Sequence, residues 1–313
     1  MRKRSTAIII ATYLRPLLLK NCVDSVLKGD MLPDKIVIAH RDTDELTQSA
    51  IDDIRSEYSS NEVKIIKCTV TEPGHIPPIE SSLNLIEEEL TIILDDDTEV
   101  KKNWFRELLS PFDNEEVGVV GGQVFTPSVP TPKLKGKPGT INWYGRYYGN
   151  IGWVKSDNLL EVDTVMEGNS AWRTQILKSI SIPKIFREDV SPLYGLYLTL
   201  TFKKLGYKII YNSKAYVDHF NGVRAPNLKR DLERLKYGNR NYFYISYVFF
   251  SPQKQLFYFL YSTFIGNNAS IGIMSFAYNI LTGKFDILKR VVAKLWARKD
   301  SLIFYFKEFC EKN

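Results

Sequence analysis

Three adjacent carboxylates, Asp95-Asp96-Asp97, follow directly on the apolar run Thr91-Ile92-Ile93-Leu94. Charges this close repel one another and are costly unless they meet a cation or solvent. Hard oxygen donors of this kind suit Mg2+ or Mn2+, and such an ion can bridge a diphosphate. Solvated acidic turns are common, so the placement of the triplet decides its meaning. A second group is Arg187-Glu188-Asp189, ahead of a helical stretch. Negative charge at a helix start has an ordinary explanation in the helix dipole. Its chemical reading is a general base. A third is Glu167-Gly168-Asn169-Ser170-Ala171-Trp172-Arg173. Here a glycine and small polar residues would let backbone approach a ligand, or Asn169 or Ser170 would simply cap a helix. The fourth is His219, one of only three histidines, placed after a short strand where a neutral imidazole could complete a metal site.

The elements that must hold these residues alternate. Residues 5–11 read as a buried strand, 16–28 as a helix, 35–39 as a strand and 44–58 as a helix with Asp44 as N-cap. Residues 63–68 read as a strand, 79–90 as a helix and 90–94 as a fourth strand. This alternation implies a parallel sheet with crossover helices, and ligands bind at the carboxyl edge of such sheets. The acid triplet falls on that edge. Beyond Asp97 the pattern predicts a short helix at 104–109 and a strand at 118–125. A loop or hairpin region covers 126–160, a segment from Gly168 runs into a helix ending near Ile180, and another helix spans about 191–205. Short strands at 208–211 and 215–217 precede a mostly helical remainder. Internal repeats and low-complexity segments are absent.

Composition narrows the class. The 313 residues are 44% hydrophobic and 25% charged, which excludes disorder, collagen and coiled coil as global descriptions. The net charge of +6 is unevenly spread: residues 1–202 hold 23 Lys+Arg against 29 Asp+Glu, residues 203–313 hold 19 against 7. A basic, aromatic second part suggests an anionic partner, a lipid surface or a nucleic acid. Three cysteines without CxxC spacing exclude a disulfide scaffold and a zinc finger, and fit a reducing compartment. The apolar run near the start is too short for a signal-peptide core, so a cytoplasmic location is expected. Gln255 to Gly283 carries no formal charge but is interrupted by Gly266-Asn267-Asn268, which favours interfacial helices over a span.

In order along the chain, these features resemble family 2 glycosyltransferases of the GT-A fold. Ile8–Arg15 is similar to that family's opening strand and "PTYNR" turn, and KIVIAHRDTDELT to its second strand. Glu72-Pro73-Gly74 and Asn84 stand where the family has the loop and helix before its DXD motif, which Asp95-Asp96-Asp97 resembles. Val119-Val120-Gly121-Gly122, EGNSAWR (family "GANMAFR"), Arg187-Glu188-Asp189 (family "ED") and KKLGYKIIYNSKAYVDHF complete a match over about 5–220. The resemblance implies a Rossmann-like, mostly parallel sheet flanked by helices, with a nucleotide-binding half at 1–100 and an acceptor half at 101–220. A helical, basic and aromatic region with possible membrane association follows at 221–313.

It also implies a metal-dependent, inverting transfer of sugar from a nucleoside diphosphate sugar to a hydroxyl of a glycan or lipid-linked acceptor. Mn2+ or Mg2+ is the cofactor, and the location is the inner face of the membrane. The metal would be held by Asp97 with Asp95 and His219, the triplet allowing either DXD register. Thr12, Arg15, Asp42, Asp95 and Asp96 would line the nucleotide, with Asp44 as competitor to Asp42. Gly168, Asn169, Trp172 and Arg173 would shape the sugar and acceptor side. Asp189 would be the base, with Glu188 placing the acceptor. The resemblance carries no nucleic-acid partner. Two departures stand out. His40-Arg41-Asp42-Thr43-Asp44 replaces the usual "DDGSTD". The "QXXRW" motif of processive synthases is not evident, since Arg234 and Tyr237-Gly238-Asn239-Arg240-Asn241 lie in that region, so a non-processive enzyme is expected. The competing reading is a non-catalytic module gripping a membrane or nucleic acid through Lys236–Phe243. A nucleotidyltransferase is disfavoured because no Gly-rich phosphate loop follows the first strand.

Overall fold

The computed structural model describes residues 4–134, 136–187, 192–220, 228–267, 270–283 and 287–312. They divide into two units. The first comprises Met1–Gly139, Gly149–Ser181 and Leu198–Val223, the second Thr140–Tyr148, Ile182–Tyr197 and Arg224–Asn313. A contiguous division at 220 is therefore interrupted, because two internal segments belong with the C-terminal region.

The first unit is built on one sheet. Strands β1 (Thr6–Thr12), β2 (Lys35–Arg41), β3 (Lys64–Val70) and β4 (Leu90–Asp95) alternate with helices α1 (Pro16–Leu27), α2 (Glu45–Glu57) and α3 (Ile76–Leu83). After β5 (Thr98–Val100), helix α4 (Trp104–Leu109) and strand β6 (Val117–Phe125) come, in the second unit, the short pair β7 (Thr140–Ile141) and β8 (Tyr147–Tyr148). The chain then adds β9 (Leu160–Glu161), β10 (Asn169–Arg173), α5 (Thr174–Ser179), α6 (Tyr194–Lys204) and β11 (Lys208–His219). The strand order is β3-β2-β1-β4-β10-β6-β11-β5, with β9 beside β11. Strands β3, β2, β1 and β4 are parallel, as are β6 and β11, whereas β10 runs antiparallel to both its neighbours. Runs such as Ile8-Ile9-Ile10 and Ile36-Val37-Ile38 are buried, as strands covered on both faces require.

Register sets up the chemistry. Ala11 pairs with Asp95, and Thr12 with His40, so β1, β2 and β4 end at one edge. Strand β10 enters at that edge with Asn169 opposite Leu94, and β11 reaches it from the other side with His219 opposite Thr98.

Three sequence expectations are corrected. The helix expected at 79–90 spans Ile76–Leu83 instead; Pro77 and Pro78 suit a first turn, and Asn84 caps the end. The segment from Gly168, expected to run straight into a helix, first forms the central strand β10. Its polar residues Asn169 and Ser170 tolerate full burial because both make internal hydrogen bonds. The two short strands at 208–211 and 215–217 are one strand, β11, with a register shift between Asn212 and Tyr216.

The second unit contains α7 (Leu228–Phe249), α8 (Pro252–Leu260), a π-helical turn (Tyr261–Ile265), α9 (Ile273–Leu281) and α10 (Ile287–Lys312). No described helix is long and apolar enough to cross a membrane. Arg240 is 1% exposed, bonded to the Ile185 carbonyl and 3.5 Å from Asp300. Asn239, Asn241, Tyr242 and Phe243 are buried with it. Asn239–Phe243 are thus core, while Lys236, Tyr237 and Gly238 are half-buried, so most of the surface that nucleic-acid gripping needed is buried.

Lys294 is buried as well, its ammonium donating to the carbonyls of Ser262 and Ile271. Burial, with Arg298 nearby, pushes its pKa down from 10.5 to about 8. Between those values the unfolded chain binds more protons than the folded one, so stability rises with pH across that window. Below it, the full penalty of burying the charge applies. Relative to Lys294→Met, the native chain is expected to gain on the order of 2 kcal/mol of unfolding free energy from pH 8 to 10.5, read by urea unfolding. A pH-independent difference would show that this ammonium is hydrated.

Candidate active site

Strand β1 delivers Thr12 to the sheet edge, and the turn Tyr13-Leu14-Arg15 leads into α1. Leu14 has φ 54°, a strained left-handed conformation for a branched side chain. Asp44 holds it there: its buried carboxylate accepts from the Leu14 N–H and caps α2 through the Thr47 N–H at 3.1 Å. Burial would raise the Asp44 pKa, but these donors hold it below the usual carboxylate range. The turn thereby aims Arg15 at the acid triplet. Arg15 Nη1 donates to Asp96 Oδ1 at 2.9 Å and to Asp97 Oδ2 at 2.8 Å.

The triplet itself is a tight turn between β4 and β5. Thr98 Oγ1 donates to the Asp95 carbonyl at 2.7 Å, and the Phe220 N–H to the Asp97 carbonyl at 2.7 Å. The second bond ties the end of β11 to the acids. His219 Nε2 consequently lies 3.0 Å from Asp97 Oδ1 and 3.8 Å from Asp95 Oδ2. Thr126 Oγ1 stands 3.5 Å from the other ring nitrogen, Nδ1. Asp95, Asp97 and His219 each offer one ligand atom, all within 4.8 Å of one another. Asp96 is turned toward Arg15, with its Oδ2 and the Thr12 hydroxyl both buried at the strand end.

The electrostatics follow from this packing. Burial pushes Asp97 up, yet the His219 and Arg15 charges outweigh it and hold the carboxyl low. His219 is held above its ordinary value: burial lowers it, but Asp97 and Asp95 raise it further. Asp95 is raised to about 7 by close protein surroundings and the neighbouring acids, although 54% of its side chain still meets solvent. Asp96 is raised by burial, which Arg15 only partly offsets. Three acids face the Arg15 guanidinium and the His219 imidazole, and all five groups are coupled at one sheet edge. Two carboxylate oxygens and an imidazole nitrogen in reach of one point make a donor set fit for a divalent cation. Of the two DXD registers, Asp95–Asp97 is the one that brings both carboxylates to one point.

The remaining candidates sort by place. A Cβ on Gly168 would lie 2.0–2.5 Å from the Asp95 carboxylate, so Gly168 belongs to the site. Asp42 is exposed just beyond β2, 3.8 Å from the Arg41 guanidinium, while Asp44 is committed to its caps. Asn169 is structural: it accepts from Trp104 Nε1 at 2.7 Å and donates to the carbonyls of Gln123 and Ala215 at 3.0 and 2.9 Å. Asn169→Ala leaves all three groups buried and unpaired, and an unfolding loss of about 3 kcal/mol or more is expected in urea titrations.

Three expectations on the sugar side are corrected, the first being Asn169, which is fully buried with both ends of its amide bonded inside the fold. Trp172 is 0% exposed, packed edge-on against Phe202 at 5.5 Å, and cannot shape a sugar pocket. Arg173 pairs with Leu90 at the opposite end of β4, donating to Val117 and pairing with Glu115. In a strand, residues leave the edge at about 3.3 Å per step, so only the start of EGNSAWR reaches the acids. Glu188 and Asp189 lie outside the described residues. Thr98, Thr126 and the Phe220 N–H escaped the sequence reading. Thr98, placed to bond back to Asp95, was a readable turn signal, but Thr126 had none.

The sequence profile described as "Glycosyl transferase family 2" matches residues 7–164. A search of curated protein sequences found no match. Among solved structures, a mannosyltransferase from Pyrobaculum calidifontis, PcManGT, in complex with GDP-Man and Mn2+, is similar at TM-score 0.59 and 10% identity, over 98% of this chain and 88% of that one. TarS from S. aureus is similar at 0.57 and 16%, over 96% and 89%. GalNAc-T7 with UDP, GalNAc and Mn2+ is similar at 0.58 and 12%, over 90% of this chain and 58% of that one. At such identities the likeness establishes a common fold, GT-A, with a central, mostly parallel sheet flanked by helices. Together with the family match over half its length, this makes the chain a glycosyltransferase and a member of glycosyl transferase family 2.

Proposed function

We propose that the chain moves a sugar, with inversion, from a nucleoside diphosphate sugar to a hydroxyl of a glycan or lipid-linked acceptor at the cytoplasmic face of a membrane. The observation that carries the reading is the Asp95–Asp97–His219 cluster, with Arg15 beside it, at the carboxyl edge of the sheet. PcManGT and GalNAc-T7 support it, since both are described with Mn2+ and a nucleotide or nucleotide sugar. Asp95, Asp97 and His219 would hold Mn2+ or Mg2+. Bound there, the ion supplies Lewis-acid neutralisation of charge growing on the departing diphosphate. Arg15 adds a fixed positive charge on the same side, and its place against two acids keeps it oriented before substrate arrives. Asp42, exposed at the end of β2, takes the ribose or base, and Thr12 stands at the strand end beside it. Asp189 removes the acceptor proton, a role that rests on the family resemblance.

A thermal-shift panel of UDP, GDP, CDP and dTDP, with and without Mn2+, tests the donor site, because a ligand selective for the native state raises its stability. One nucleotide is expected to raise Tm, more so with Mn2+; a folded chain indifferent to all of them would overturn the reading. Asp189→Asn should keep that nucleotide shift and lose transfer by about a thousandfold or more, as removal of a general base and its substrate contact demands. Equal rates in the two proteins would place the base elsewhere.

A further inference from the structure

More than half of the exposed large apolar side chains among the described residues fall between 256 and 306, in the second unit. Along α9 and most of α10 the arrangement is inverted, although Tyr258, Tyr261, Ile271 and Ile287 of the same stretch are buried. On α9, Asn279 is buried, whereas Met274, Tyr278 and Leu281 face water, Leu281 at 86% exposure. On α10 the buried positions include Lys294, Ala297 and Ser301, while Leu288, Val292, Leu295, Leu302 and Phe306 form an outward stripe, Val292 at 67%. In the π-helical turn Ser262 is buried, whereas Phe264 and Ile265 are exposed. A helix of a water-soluble unit does the reverse. An apolar surface this broad marks an interaction site.

Charge on the same helices is sorted too. Asp300 turns inward to Arg240, and Glu308 accepts from the Tyr244 hydroxyl. Lys289, Lys299 and Lys307 point outward among the apolar side chains, Lys299 within the stripe itself. Trp143 is 70% exposed and packs edge-on against the exposed Phe257 at 5.3 Å.

We infer that the outward face of α8, the π-helical turn, α9 and α10 seats the second unit in the surface of an anionic lipid bilayer without crossing it. The 9-residue helices α8 and α9 are each about 14 Å long, half of a ~30 Å hydrocarbon core, so they lie in the interface. Lysines flanking apolar side chains extend to anionic headgroups, and Trp143 suits the same depth. A second copy of the chain fits this face poorly: pairing the stripe with itself would bring Lys299 into an apolar seam. The inference deepens the membrane-face placement proposed above and is independent of the metal site.

The test is flotation of the full chain with phosphatidylcholine vesicles, alone or with about one third phosphatidylglycerol. The native chain is expected to float with the anionic vesicles and much less with the neutral ones, its tryptophan emission shifting blue. Val292→Glu with Leu295→Glu should lower that partition by about a hundredfold or more, and Lys289→Glu with Lys299→Glu by about tenfold or more. Both pairs are at the surface, so the nucleotide–Mn2+ thermal shift should persist in each, which separates loss of seating from loss of the donor site. The proposal is overturned if the native chain stays at the bottom with both vesicles or floats equally with both. It is also overturned if the chain ignores vesicles and runs as a dimer that Val292→Glu with Leu295→Glu splits.

Discussion

Asp97→Ala is expected to lower sugar transfer by about a thousandfold or more and to abolish the Mn2+-dependent part of the nucleotide thermal shift. Asp97 is the acid that contacts both His219 and Arg15. One oxygen faces His219 at 3.0 Å and the other faces Arg15 at 2.8 Å. Removing it leaves Asp95 and His219, which lie 3.8 Å apart, as the remaining ligand groups, with Arg15 held by Asp96 alone. The fold should survive. The turn is tied by the Thr98 hydroxyl and the Phe220 N–H, both of which bond to backbone carbonyls that alanine retains. Substitution also removes one of three mutually repelling charges. The Asp97 pKa is held low in the native state, so its contribution to stability is present at neutral pH and is lost as pH falls. The variant's Tm should therefore lie within about 4 °C of the native value near neutrality, with the gap closing in acid. Undiminished transfer with intact Mn2+ dependence would dissociate the acid cluster from the chemistry.

What could be read from the sequence was whatever a local pattern announces. Apolar runs interleaved with helical spacing announced β1 to β4 and their parallel order. An acid triplet after Leu94 announced a strand-end cluster, and His219 was singled out for its rarity and position. Strand β10 was not legible. Five residues, NSAWR, offer no alternation to read, and two of the inward groups are polar. Asn169 is satisfied by partners far off in sequence, Trp104 and the carbonyls of Gln123 and Ala215, and Ser170 by Glu167 and Trp172 close by. The same non-local packing put Trp172 in the core. Asp44 had two plausible readings, capping and ligand contact, and only the left-handed Leu14 beside it in space decides for capping. In the second unit, hydrophobicity alone was misleading. In the competing grip reading Lys236–Phe243 had to be exposed, yet Asn239–Phe243 are core and Lys236–Gly238 half-buried, whereas the uncharged stretch from Gln255, read as interfacial, supplies many of the exposed apolar side chains.

Gly168→Ala should disable the donor site without removing any functional group. The glycine carbonyl accepts from the Asp95 N–H at 3.1 Å, which fixes β10 against the end of β4. An added Cβ would sit 2.0 Å from Asp95 Oδ2 and 2.2 Å from its Cγ, well inside contact distance. Relief is available only to the side chain. The strand ends are pinned by the register of Leu94 with Asn169, while the Asp95 carboxylate is half exposed and can swing into solvent. A swing of that kind takes Asp95 away from Asp97 and His219, leaving two of the three donor groups together. Stability should change by no more than about 1 kcal/mol, since one solvent-reaching rotamer replaces another. Affinity for Mn2+ should nonetheless fall by about tenfold to a hundredfold, with transfer falling at least as far, as loss of one ligand predicts. Calorimetric titration of Mn2+ in the presence of the nucleotide found by the panel reads the affinity directly. If Gly168→Ala binds Mn2+ like the native chain, Asp95 is not a ligand, and the cation would rest on Asp97 and His219.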